Sequence, residues 1–245
     1  MVPKLWPYLM RKWLPLHSRM TAARVRKMVP DAATVLDVGA HNGTLMDALR
    51  SRGVECAGVD IKPRRPDVVQ GDAARLPFAD DIFDLVVSVN TLEHLKDRPG
   101  ALREFRRVAN RLYLGWTPWF SPYGGHEFSP WHLFGRTKGY THELGVNLFV
   151  TTIDAAVAEL RDAGWVVEDI HPRYWPWFGF LAWLPGRLAD FCCWNVEIMA
   201  HRPEAAAEQT AGWQVKDLRP GVLGWVLLVE LALVAMVLYA TRELF

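Results

Sequence analysis

Seven short apolar blocks recur along the chain, each followed by turn residues or by a stretch of helical period. They are TVLDV (Thr34–Val38), VECAGVD (Val54–Asp60), VVQ (Val68–Gln70), DLVVSVN (Asp84–Asn90), RLYLGW (Arg111–Trp116), WVVEDI (Trp165–Ile170) and NVEIMAH (Asn195–His201). Their length and β-branched content predict buried strands. Between them, Thr44–Arg50 predicts a helix, and ALREFRRVA places Leu102, Phe105 and Val108 on one helical face. Thr151 with Asp154 opens a third helix over DAAVAELRDAG. Alternating strands and helices call for an α/β fold, Rossmann-like and doubly wound, on a mainly parallel seven-stranded sheet. That domain is expected to occupy residues 30–201.

Three segments depart from this pattern. Val222–Ala240, VLGWVLLVELALVAMVLYA, is apolar throughout except for Glu230. At about 1.5 Å per residue it spans roughly 28 Å, close to the roughly 30 Å hydrocarbon core of a bilayer. Its Leu and Val residues favour insertion by roughly 3 to 7 kcal/mol, against about 3 kcal/mol for one central carboxylate. Residues 220–241 are therefore expected to form a C-terminal transmembrane helix, reached through a polar linker at 202–219; the alternative is a buried C-terminal helix. Lys216 and Arg219 precede the span. The positive-inside rule then gives a single-pass protein of the cell inner membrane with its main domain in the cytoplasm.

Residues 1–29 mix Trp6, Tyr8 and Trp13 with Lys4, Arg11, Lys12, Arg19, Arg24, Arg26 and Lys27, the composition of an interfacial helix lying on anionic headgroups. In Tyr174–Phe191, YWPWFGFLAWLPGRLADF, Pro176 and Pro185 forbid one continuous helix. Residues 174–191 read as an aromatic insertion, either a membrane wedge or a cap over the substrate. Composition strengthens the membrane reading: the chain has 12 tryptophans, and six of them fall in these three segments. A formal net charge of +1 over 245 residues excludes a general nucleic-acid binder. Cys56, Cys192 and Cys193 form neither a disulfide framework nor the spacing of a closed zinc site, so the spacing calls for no metal.

The first predicted strand runs into Asp37-Val38-Gly39-Ala40-His41-Asn42-Gly43 and then a helix, and the second ends in Asp60. Glycines at such a turn let backbone approach a ligand, and a carboxylate about 20 residues on binds ribose hydroxyls. A nucleotide-like cofactor follows. Neither the G-x-G-x-x-G fingerprint nor a Walker Gly-Lys-Ser/Thr is present, which disfavours a pyrophosphate.

VLDVGAHNGTLMDAL, GVDI and GDAARLPFADDIFDLVVSVNTLEHL, in that order, resemble the class I S-adenosylmethionine (SAM) methyltransferases of the type 11 group, over about Thr34 to Val108. The resemblance implies that Asp37 and Gly39 lie near the methionine part of the cofactor and that Gly43 permits its close passage. It implies that Asp60 holds the ribose hydroxyls, Ile61 packs on adenine, and Asp72 with the backbone of Ala73 faces the adenine amino group. Asn90 would end the fourth strand beside the methyl donor. His41 stands where the family usually has a second glycine, and either narrows the cofactor site or sets a histidine against it.

The loop TPWFSPYGGHEFSPWHLFGR leaves the carboxyl edge of the sheet, where such folds place their chemistry. His126 is the expected base for an attacking hydroxyl and Glu127 its orienting carboxylate, unless His126 only pins the loop; His94, in LEHL, ranks second. FSPYGGHEFSP with IHPRYWPWFGF also resembles actinobacterial membrane-associated methyltransferases of cell-envelope glycan or glycolipid pathways. That resemblance implies O-methylation of an amphipathic or lipid-linked saccharide. Two alternatives stay open: methylation of a quinone-like lipid, and a non-catalytic membrane-complex subunit on a methyltransferase scaffold. For the last, Glu230 is where a membrane-protein partner or a second copy would be met.

Overall fold

The computed structural model describes residues 5–121, 124, 126, 131–135, 144–174, 190, 191 and 193–203. Its elements run α1 (Leu5–Met28), β1 (Thr34–Val38), α2 (Thr44–Arg50), β2 (Glu55–Asp60), β3 (Val69–Gln70), β4 (Phe83–Val89), α3 (Arg98–Val108), β5 (Ala109–Trp116), α4 (Ile153–Asp162), β6 (Val166–Tyr174) and β7 (Cys193–His201). The sheet order is β3-β2-β1-β4-β5-β7-β6. β1, β2, β3, β4 and β5 pair in parallel, whereas β7 is antiparallel to both neighbours, β5 and β6. The sheet is therefore mixed, with a single reversed strand next to the edge. A buried antiparallel strand has the same apolar pattern as a parallel one, so the expectation of mainly parallel pairing carried no warning of the reversal.

Alternate residues of the central strands feed two cores. Leu36, Val86, Leu112 and Leu114 face Phe105 and Val108 of α3 and Leu160 of α4. Val35, Leu85, Val87 and Tyr113 face Ala22 and Val25 of α1 and Met46 and Leu49 of α2. Helices on both faces with strands buried on both sides make the doubly wound, three-layer arrangement. The second half of α1 thus packs on the sheet, a role its basic and aromatic composition does not announce.

Local chemistry sets the element ends. Asp97 caps α3 by accepting from the Gly100 N–H at 2.9 Å. The cap of α4 is Thr152, which accepts from the Ala155 N–H at 3.2 Å, one residue beyond the expected Thr151. The Thr151 hydroxyl is occupied elsewhere: it donates to the Phe149 carbonyl at 3.2 Å and accepts from Arg98 at 3.1 Å. β6 runs four residues past the expected Ile170 and includes Pro172, which an edge strand tolerates. Asp84 accepts the Ala33 and Thr34 N–H groups, each at 2.8 Å. Partial burial works against its charge, but those donors outweigh it and hold its pKa low. Asp84 is thereby a clamp on the start of β1, away from the site. Among the described residues no helix is long and apolar enough to cross a membrane. The expected span at 220–241, the linker at 204–219 and most of the aromatic insertion (175–189) lie outside them.

Candidate active site

The carboxyl ends of β1, β2 and β4 converge on one turn. Gly39, His41 and Gly43 all adopt left-handed backbone, with φ of 84°, 47° and 72°. Gly39 has no substitute: a Cβ there would lie 2.0 Å from Thr91 Oγ1. The Thr91 hydroxyl donates to the Val38 and Val89 carbonyls, each at 3.3 Å, and so fastens the β4 end to the β1 end. Gly43 is the N-cap of α2. His41 has taken a glycine-type conformation with an ordinary side chain, and it is exposed. Its N–H donates to Asp60 Oδ2 at 2.9 Å while the Lys62 N–H donates to Asp60 Oδ1 at 2.7 Å. Each Asp60 oxygen keeps a lone pair for a hydroxyl.

Asp37, 3% exposed, is the other carboxylate of this turn. Its Oδ2 is buried with no hydrogen-bond partner among the described residues. Burial, and secondarily the charge of Asp60, push its pKa up to about 7. A buried acid with one oxygen that has no partner among the described residues, beside an open glycine turn, is set to receive a cationic donor, and the ammonium of a methionine moiety is one. Ile61, 64% exposed, offers an uncovered apolar face directly after Asp60. Asp72 accepts the Ala74 N–H on Oδ1 at 2.9 Å, which leaves Oδ2 for an amino group; Ala73 beside it is buried. Asn90, at φ 53°, donates its N–H to the Gly115 carbonyl at 2.6 Å and turns the chain sharply off β4. These residues fit an adenosyl cofactor ending in a charged amino acid.

Beyond Asn90 a 3-10 turn, Leu92–His94, carries the second half of the site. The Phe149 N–H donates to the Glu93 carbonyl at 2.7 Å, and His94 Nδ1 donates to the Asn147 carbonyl at 2.8 Å. The segment before α4 thus fixes the turn. From the loop after β5, Gly124 seats tightly, since a Cβ there would fall 2.1 Å from the Pro118 carbonyl oxygen. His126 follows at φ 52°, its Nδ1 3.2 Å from the Gly124 carbonyl. Its Nε2 lies 3.2 Å from His94 Nε2, with the rings edge to face at 4.9 Å between centroids. Two histidines 32 positions apart are therefore brought into contact. Glu127 lies outside the described residues. The residue missed by sequence reasoning is Glu93: it is 3% exposed, its Oε2 has no hydrogen-bond partner among the described residues, and burial raises its pKa, partly offset by His94. A carboxylate within the quoted LEHL was the available signal, but nothing in the pattern says that it is buried.

Fold and turn together define an α/β enzyme with a nucleotide-type cofactor on the carboxyl edge of its sheet. Residues 36–111 match the methyltransferase domain of the type 11 family. A methyltransferase of Mycobacterium sp. (strain JLS) is 30% identical over 176 residues, which cover 61% of this chain and 69% of that protein. One from Mycobacterium tuberculosis (strain H37Ra) is 30% identical over 201 residues, 71% of this chain and 75% of that one. Among solved structures, a SAM-dependent methyltransferase of Thermotoga maritima superposes with a TM-score of 0.56 at 18% identity, covering 81% of this chain and 97% of that one. Magnesium protoporphyrin IX methyltransferase of Synechocystis, with bound S-adenosylhomocysteine, gives 0.50 at 16% identity, covering 75% of this chain and 83% of that one. The chain belongs to the class I SAM-dependent methyltransferases, and SAM is its cofactor.

Proposed function

We propose that this methyltransferase acts at the cytoplasmic face of the cell inner membrane, moving a methyl group to a hydroxyl of a lipid-linked or cell-envelope saccharide. The observation that carries the O-methyl reading is the His94–His126 contact one turn beyond Asn90. SAM, when bound, supplies a methyl group on a positively charged sulfur. Donation from His126 Nδ1 to the Gly124 carbonyl leaves Nε2 as a proton acceptor beside the His94 ring, which the Asn147 carbonyl orients. Attack by the acceptor oxygen is an in-line displacement, so fixing both partners supplies much of the rate. The aromatic insertion at 174–191 and the basic, aromatic start of the chain, with Lys4, Trp6, Tyr8, Arg11, Lys12 and Trp13, support an acceptor that is part sugar and part lipid. The apolar run at 220–241 supports anchoring.

The test uses detergent-purified full chain, SAM carrying a labelled methyl group, and fractionated mycobacterial envelope lipids. Label is expected in a glycolipid or lipid-linked saccharide as a methyl ether. His126→Ala is expected to cut turnover by about 10²–10⁴-fold, with affinity for S-adenosylhomocysteine kept. Label confined to a quinone fraction, or turnover indifferent to His126→Ala, would rule the reading out. Truncation after residue 203 should release the protein from the membrane fraction.

A further inference from the structure

The two imidazoles that meet at the acceptor side are oriented as metal ligands are. His94 presents Nδ1 to the Asn147 carbonyl at 2.8 Å, and His126 presents Nδ1 to the Gly124 carbonyl at 3.2 Å. A nitrogen facing a carbonyl oxygen must carry the hydrogen, so in each neutral ring Nε2 bears the lone pair. Those lone-pair nitrogens face each other at 3.2 Å. Two acceptors so placed repel unless a proton or a cation lies between them. Two nitrogen ligands on one tetrahedral cation, each about 2.0–2.1 Å away, sit roughly 3.3 Å apart, which matches. Backbone carbonyls on the distal nitrogens are also what orients histidines at metal centres. The third group is Glu93: one atom from each of Glu93, His94 and His126 can be chosen so that all lie within 4.8 Å of one another. Glu93 is buried, and its Oε2 has no hydrogen-bond partner among the described residues.

We propose that Glu93, His94 and His126 bind one divalent transition-metal cation, with Zn²⁺ the best match to two imidazoles and a carboxylate. Three protein ligands leave the fourth position open, the arrangement of catalytic rather than structural zinc. With the cation bound, His126 Nε2 is a ligand and no longer the proton acceptor; a hydroxyl taken up at the open position is acidified and releases its proton to water. That consequence rests on the acceptor-site reading given above, whereas the binding itself does not. The ligands escape a search by spacing because His126 joins the adjacent pair from a loop 32 positions on.

The experiment is metal loading of the full chain in detergent. The protein is stripped with a chelator, dialysed against micromolar Zn²⁺ or Co²⁺, and assayed for bound metal by mass spectrometry and for the Co²⁺ ligand-field spectrum. Wild type and the control His171→Ala are expected to hold one equivalent, with a Co²⁺ band of a four-coordinate site. His94→Ala, His126→Ala and Glu93→Gln should each weaken binding at least as much as the roughly 10–100-fold that loss of an outer ligand partner costs. S-adenosylhomocysteine binding, measured on every variant, reports that each is folded. No stoichiometric metal on wild type that binds S-adenosylhomocysteine would overturn the proposal and leave a shared proton as the link between the rings. Metal binding indifferent to His126→Ala would overturn it equally. Metal-free protein that methylates an envelope saccharide at full rate would sink the metal's role while sparing the O-methyltransferase reading; stoichiometric binding without saccharide methylation would do the reverse.

Discussion

At the scale of single residues, the cofactor turn is decided by backbone sign. Gly39→Ala puts a Cβ where φ is 84° and Thr91 Oγ1 is 2.0 Å away. The left-handed conformation alone costs a non-glycine residue about 1–2 kcal/mol, and the displaced Thr91 hydroxyl loses its bonds to Val38 and Val89. Gly39→Ala should therefore be destabilising in denaturant titration and bind S-adenosylhomocysteine poorly, and Thr91→Ala in the same chain should recover part of both. His41→Gly runs the other way: relief of strain, less the roughly 0.5–1 kcal/mol that glycine loses in chain entropy, leaves a gain of about 0.5–1 kcal/mol. If His41→Gly instead destabilises the protein, the imidazole contributes something the backbone reading leaves out. The turn proposed for the cofactor was legible in the sequence because left-handed backbone at Gly39 and Gly43 demands glycine and Asp60 accepts the His41 and Lys62 N–H groups there. The acceptor half was legible only as candidates. No local rule says that His94 and His126 touch, since their meeting depends on Gly124 folding against the Pro118 carbonyl and on Asn147 reaching back to His94.

At the scale of elements, α1 is held by a charge network that crosses the sheet. Glu197 of β7, 2% exposed, pairs with Arg24 of α1 at 2.6 Å and with Arg173 of β6 at 2.7 Å. Arg24→Met leaves the buried Glu197 with one partner that is itself a third exposed, and is expected to cost on the order of 2 kcal/mol, below the 3–5 kcal/mol of a fully buried pair. Replacing Glu197 by Leu in the same chain removes the stranded charge. The double variant should then be more stable than Arg24→Met alone, read as a non-additive term in a double-mutant cycle. Simple additivity would mean that Arg173 alone compensates Glu197. This network also explains what the sequence hid. Arg24 counted with the basic residues of an interfacial segment, and Glu197 stood inside a strand whose neighbours are apolar. The strands themselves were legible to within a residue or two at most ends because the central ones are buried on both faces and the edge strands β3 and β6 keep enough β-branched residues to continue the pattern. The hand of β7 was not, since direction depends on the connection from β6, which the apolar pattern does not encode.

At the scale of the molecule, two buried groups pull pH stability in opposite directions over almost the same interval. Burial first, with Asp60's charge added, raises the pKa of Asp37 from 3.8 to about 7. The unfolded chain ionises Asp37 first, so this group's contribution is fully present below pH 4 and is lost as pH rises to about 7. His17, on α1 against Trp194, is lowered from 6.5 to about 4, by burial first and then by Arg24. A base held neutral in the folded state contributes fully above 6.5 and loses that contribution as pH falls toward 4. Each effect runs at about 1.4 kcal/mol per pH unit where only one state is charged. The two slopes oppose each other between roughly pH 4 and 6.5, and wild type should show little pH dependence from either. Single substitutions unmask them. Asp37→Asn should melt higher than wild type at pH 7.5 and lose stability as pH is lowered to 4.5, because His17 then acts alone. His17→Gln should do the opposite and gain stability over the same descent. The expected cost of Asp37→Asn falls on function: the amide presents a neutral group in place of the buried carboxylate that the turn sets toward the proposed cofactor position, so S-adenosylhomocysteine binding should collapse in the variant that melts highest at pH 7.5. Parallel melting curves for both variants from pH 4.5 to 7.5 would show that neither group titrates differently on folding. Higher stability joined to lost binding would identify Asp37 as a charge buried for the cofactor at the expense of the fold.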